Sequence, residues 1–183
     1  MSRSYLLGPV TVMEQAVSEI VQIVDEQNNE IAAISRRIMR EQKLIHRASY
    51  ILVFNSSEDL FVQQRTLTKD IYPGYYDIAA GGVVQAGESY EQSARRELFE
   101  ELGIQDTALD PCFDHYYEDE DNRVWGRIFC CRHDGPFTLQ KEEVQDGAFM
   151  PVPVVVEMCN REKFTPDGIE ILERLLSEQK DQS

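Results

Sequence analysis

Between Ser89 and Gly103 the sequence spells out a helix with both of its ends specified. Ser89 and Gln92 form the S-x-x-Q pattern of a capping box, and Gly103 followed by Ile104 suits a left-handed C-terminal cap with an apolar clasp. The predicted helix covers residues 90–102. Glu97, Glu100 and Glu101 lie within it at i, i+3 and i+4, so they share one face. Like charges at that spacing oppose helix formation by roughly 0.2–0.5 kcal/mol per pair in water, and by more when partly buried. A divalent cation reverses the sign, because hard ions such as Mg2+ take carboxylate oxygens and bridge to phosphates. A solvated glutamate face would show the same spacing, since Glu is a good helix former. The flanking residues decide between the two.

Upstream stand the flexible pair Gly81-Gly82 and the turn Gly87-Glu88, with Arg96 placed to meet Glu88 in an ion pair. Written out, the segment is Gly82, five residues, Glu88, seven residues, then Arg96-Glu97-Leu98-Phe99-Glu100-Glu101-Leu102-Gly103-Ile104. This resembles the Nudix box, G-x5-E-x7-R-E-U-x-E-E-x-G-U with U apolar, at every defined position.

The resemblance implies an α+β fold, a mixed β-sheet in an α/β/α sandwich with the box as a loop-helix-loop upon it. It implies that Glu97, Glu100 and Glu101 ligate Mg2+ or Mn2+, one of them alternatively serving as general base, and that the Gly81 carbonyl adds a ligand. Gly82, Glu88, Arg96 and Gly103 would hold the loop in shape. The implied reaction is attack of a metal-activated water on a phosphorus of a small-molecule diphosphate. Family members often take their base from outside the box. Glu142 or Glu143 could serve, although both also read as solvated loop residues.

His46-Arg47-Ala48-Ser49, Gln64-Arg65 and Lys69-Asp70-Ile71-Tyr72-Pro73-Gly74 resemble parts of isopentenyl-diphosphate isomerases within the same superfamily. Those enzymes need a cysteine and a histidine at their double bond, where this chain aligns Gly81 and Val83. Their later metal-binding glutamates align with Trp125 and Arg127. Both departures favour hydrolysis in an isomerase-like subgroup, with isomerisation, or a non-catalytic nucleotide-sensing module, as the alternatives.

Thirty-three acidic against 18 basic residues give a formal charge of -15, which disfavours nucleic acid and anionic membrane surfaces as partners. An anionic substrate then needs local positive charge, for which Arg47, Arg65 and Lys69 are the candidates; ordinary surface cations are the plain alternative. Trp125, Tyr75 and Tyr76 could stack a base or simply pack in the core. His46, His115 and His133 show no ligand pattern. Cys112, Cys130, Cys131 and Cys159 form no C-x-x-C pair and read as core thiols in a reducing compartment.

The rest of the chain predicts strands at 20–24 and 30–34, a short helix after Ser35, strands at 49–54 and 60–64, and an extended segment at 76–84. Further strands are expected at 113–117, 123–131 and 147–151, with helices at 153–159 and from Pro166. At 183 residues one domain is expected, over 19–176, with 1–18 as an N-terminal extension and 177–183 as a loose tail. Residues 1–24 lack the basic start and continuous apolar run of a signal peptide, so the expected location is cytoplasmic. A homodimer is compatible with the resemblance.

Overall fold

The computed structural model describes residues 19–181; the expected extension over 1–18 lies outside them. Strands β1 (Ile20–Val24) and β2 (Glu30–Ser35) form the predicted antiparallel hairpin. Ser35 ends β2 and caps α1 (Arg36–Glu41), its hydroxyl accepting the Ile38 amide. Strands β3 (His46–Phe54) and β4 (Leu60–Arg65) follow. β3 opens at His46 rather than Ser49 because its first residues pair in parallel with a strand far along the chain, Arg47 opposite Trp125.

The extended segment expected at 76–84 is split into β5 (Tyr76–Asp77) and β6 (Ala80–Val83). β5 pairs with β4 and β6 pairs with β3, so the chain changes partner at Ile78–Ala79 and crosses between the two. α2 (Tyr90–Leu102) has the predicted bounds and both predicted caps. The Ser89 hydroxyl accepts the Gln92 amide while the Gln92 side chain accepts the Ser89 amide. Gly103 takes φ 72°, and the amides of Gly103 and Ile104 return to the carbonyls of Phe99 and Leu98.

The remaining elements are β7 (Asp110–Glu118), β8 (Arg123–Arg132), β9 (Val144–Met150), α3 (Val152–Cys159) and α4 (Pro166–Asp181). α4 continues past Ser177, where the sequence suggested a loose tail. Its apolar residues Ile171, Leu172 and Leu175 bury against the sheet. The mixed sheet runs β2-β1-β3-β4-β5, with β6 and β8 also on β3, β7 on β8 and β9 on β4.

Alternation along β3 builds the layers. Ile51 and Val53 face α2, packing with Ala94, Leu98 and Leu102, whereas Leu52 faces α3 and α4, packing with Val155, Ile171 and Leu172. This is the α/β/α sandwich. No helix among the described residues is long and apolar enough to cross a membrane.

Candidate active site

The crossing between β5 and β6 brings the backbone of Gly81 and Gly82 under α2. At Gly81, with φ 149°, a Cβ would stand 2.0 Å from the Ser49 carbonyl oxygen. Only glycine fits there. A Cβ on Gly82 would lie 2.4 Å from Oε1 of Glu97, so that carboxylate occupies space a side chain would claim.

Arg96 ties the loop to the helix. Its Nε and a terminal nitrogen fork onto the Glu88 carboxylate at 2.7 and 3.0 Å, and the same nitrogen donates to the Val83 carbonyl. Glu88 also accepts the Gln85 amide. The other terminal nitrogen reaches Glu97 at 2.6 Å and Glu100 at 3.1 Å. One guanidinium thus joins the Glu88 turn, the Val83 backbone and two glutamates of α2.

The three glutamates are not equivalent. Glu101 is almost wholly buried, its Oε2 accepting the Gly81 amide at 3.1 Å and the Gln63 side chain at 3.3 Å. Glu97 is mostly buried, whereas the Glu100 side chain is 45% exposed. Burial pushes the Glu97 carboxyl well up, Glu101 adding to the shift and Arg96 opposing it. Burial likewise raises Glu101, with Lys69 opposing and Glu143 adding. Two desolvated carboxylates repel here, an arrangement stable as a pair of charges only beside cations.

Lys69 provides one. Its ammonium lies 3.9 Å from Glu101 and contacts Glu143. Glu143 stands in this cluster because its turn is anchored to the end of α2, the Gln140 amide donating to the Glu101 carbonyl. Glu142 is exposed and meets Thr66 and Thr68 only through its carbonyl. Among the described residues no three His, Cys, Asp or Glu side chains converge as a ready-made metal cluster; Arg96 and Lys69 neutralise the carboxylates instead. The donors nonetheless fit a hard divalent cation, being oxygen atoms on buried carboxylates whose repulsion such an ion would remove.

A cavity of about 80 Å³ opens beside Gly81 and Gly82 and is lined by Lys69, Arg65, Arg36 and Arg40, among others. Arg65 is committed to its own loop, donating to the carbonyls of Ile71 and Tyr72 and pairing with Asp77. Burial pushes the Asp77 carboxyl up to about 6 despite Arg65. Arg47 points elsewhere, holding Asn28 and Glu30 of the first hairpin and covering the Tyr90 ring. Trp125 packs on Tyr116, Tyr76 on Phe164, and Tyr75 on Tyr72.

Sequence reasoning passed over Gln63, which orients Glu101, and Arg36 and Arg40, both of which bind Asp70 at the cavity. The signal for the arginines was present: two cations at i, i+4 in an acidic chain.

Residues 44–175 match the NUDIX domain family. An uncharacterized Nudix hydrolase of Yersinia pestis is 47% identical over 167 residues, covering 91% of each chain. The uncharacterized Nudix hydrolase YfcD of Escherichia coli K12 is 45% identical over 163 residues, 87% of this chain and 89% of the relative. A crystal structure of a Deinococcus radiodurans protein superposes with a TM-score of 0.74 at 22% identity, covering 85% of this chain and 98% of that one.

Proposed function

The chain belongs to the NUDIX family, and from that premise we propose that it is a cytoplasmic, divalent-cation-dependent hydrolase that cuts a diphosphate linkage in a nucleoside diphosphate derivative or similar small molecule. The observation that carries this reading is the pair of buried, mutually repelling carboxylates, Glu97 and Glu101, set against the glycine backbone of β6. The catalytic unit runs from residue 19 through the end of α4.

Glu97, Glu100, Glu101 and the Gly81 carbonyl are the residues that hold Mg2+ or Mn2+. The cation supplies a lowered pKa for water and neutralises charge growing on phosphate oxygens. Glu143 takes the proton from the attacking water, a role its place beside Glu101 supports over Glu142. Lys69 leaves the carboxylates for a substrate phosphate oxygen, while Arg65 shapes the cavity wall. Gln63 and the Gly81 amide keep the Glu101 carboxylate oriented.

An isomerase-like ancestry for the cavity is compatible with the residues around Lys69, but isomerisation itself is disfavoured by a specific contact. The Gly81 position, where the isomerases carry their cysteine, has the Ser49 carbonyl 2.0 Å from where a Cβ would be. A nucleotide-sensing role would need no intact set of acidic side chains, and here all are present.

The test is phosphate release from a panel of diphosphate compounds with Mg2+ or Mn2+, comparing wild type with Glu101→Gln and Glu143→Gln. Metal-dependent turnover lost in Glu101→Gln supports hydrolysis and names the substrate class. Binding of a panel compound without turnover would replace hydrolysis by sensing.

A further inference from the structure

Away from the carboxylates, the β7–β8 hairpin brings two thiols together. The Sγ atoms of Cys112 and Cys130 are 2.9 Å apart, closer than unbonded sulfurs ordinarily rest and about 1 Å beyond a covalent S–S length. The cause is a register shift. Asp110 pairs with Cys130 and Pro111 with Phe129, but Phe113 pairs with Ile128, so Cys112 is the extra residue of a β-bulge. A bulge twists its strand and re-aims the side chain it carries, here across the ladder onto Cys130.

From this geometry we infer that Cys112 and Cys130 form a dithiol site that is oxidised to an intramolecular disulfide by low-molecular-mass disulfides of the glutathione class. Cys112 attacks first. Hydrogen bonding from Cys130 holds the Cys112 thiol below its usual range, and the same contact, with burial, drives Cys130 up. The Cys112 thiolate attacks one sulfur of the small disulfide and expels a small thiolate, leaving a mixed disulfide on Cys112. Cys130 then loses its proton, attacks the Cys112 sulfur and expels the second small thiolate. Two protein thiols are oxidised, and one small disulfide is reduced to two thiols.

The other cysteines are differently placed. Cys131 is buried in the cluster beneath α2, and burial pushes its thiol up to about 12. Cys159 ends α3, and burial raises it as well. Pro111 beside Cys112 is exposed and Cys112 itself is half-buried, so the small disulfide has a route of approach.

The experiment is native treatment of the full chain with oxidised glutathione, followed by alkylation, intact mass and peptide mapping. The expected result is loss of two of the four thiols and a cross-linked peptide joining Cys112 to Cys130, reversed by dithiothreitol. Cys130→Ser should stop at a glutathione adduct on Cys112, and Cys112→Ser should keep its remaining thiols free. Four alkylated cysteines in treated wild type, a glutathione adduct that persists on wild type, or a cross-link through Cys131 or Cys159 would each overturn the inference.

Discussion

Oε1 of Glu97 lies 2.4 Å from the point where a Cβ on Gly82 would begin, so helix α2 and strand β6 meet with no room for a single methyl group. Gly82 does not adopt a left-handed backbone, and alanine therefore fits its conformation while colliding with the carboxylate. Gly82→Ala is expected to keep the fold and its melting temperature within a few degrees. With Glu97 as the proposed metal ligand, its displacement by about 1 Å is expected to lower kcat/KM by roughly 100-fold. Normal turnover with this variant would show that Glu97 does not act from its observed position.

Glu101 separates stability from function. Its folded-state pKa is raised by burial, so at neutral pH the folded carboxylate is less favourable than the unfolded one and opposes folding. Glu101→Gln removes that charge while leaving an acceptor for the Gly81 amide. In chelator-treated protein the variant is expected to unfold at higher denaturant, while turnover with Mg2+ falls by roughly 100-fold or more. Urea titrations beside phosphate-release rates check both signs. A destabilised variant would mean that Lys69 already compensates the buried charge in full.

Much of this site was legible because its information is local. Ser89, Gln92 and Gly103 act within one turn of α2, and the bounds of that helix followed from them. The split of 76–84 into two strands was hidden because partner choice depends on β3 and β4, and no residue within the segment encodes it. Glu143 could not be told from Glu142 for a similar reason. Which of two adjacent carboxylates faces inward is set by the Gln140–Glu101 backbone contact between segments far apart in sequence. Arg47, a candidate for gripping phosphate, holds Asn28 and Glu30, partners a linear reading cannot see.

Lys69 makes an unusual prediction for metal binding. Its ammonium lies between Glu101 and Glu143, so a cation entering at Glu101 must displace it. Lys69→Met removes that competitor and is expected to tighten Mn2+ binding several-fold by titration calorimetry. The same variant should raise KM for the substrate, since the ammonium is no longer there to meet a phosphate oxygen. Unchanged Mn2+ affinity would show that the ammonium does not occupy the site in solution.

His46 is expected to make the fold sensitive to acid. It is buried at the cavity, Nδ1 against the Leu44 carbonyl and Nε2 facing Arg40. Burial, then the Arg40 charge, pushes its pKa down from 6.5 to about 3. The folded state therefore prefers neutral imidazole, and the stability this gives is full above pH 6.5 and is lost as pH falls from there towards 3. Asp77, raised by burial to about 6, acts in the opposite direction, its penalty easing as pH falls from 6 to 3.8. Asp70, held down at about 2 by Arg36 and Arg40 against its burial, loses its contribution only below 3.8. A comparison of wild type with His46→Gln cancels both aspartates and isolates the imidazole. Guanidinium unfolding at pH 7, 5.5 and 4 should show wild type losing on the order of a few kcal/mol relative to the variant. Parallel pH profiles would mean that His46 takes up a proton in the folded protein as readily as in the unfolded chain, contrary to its burial beside Arg40.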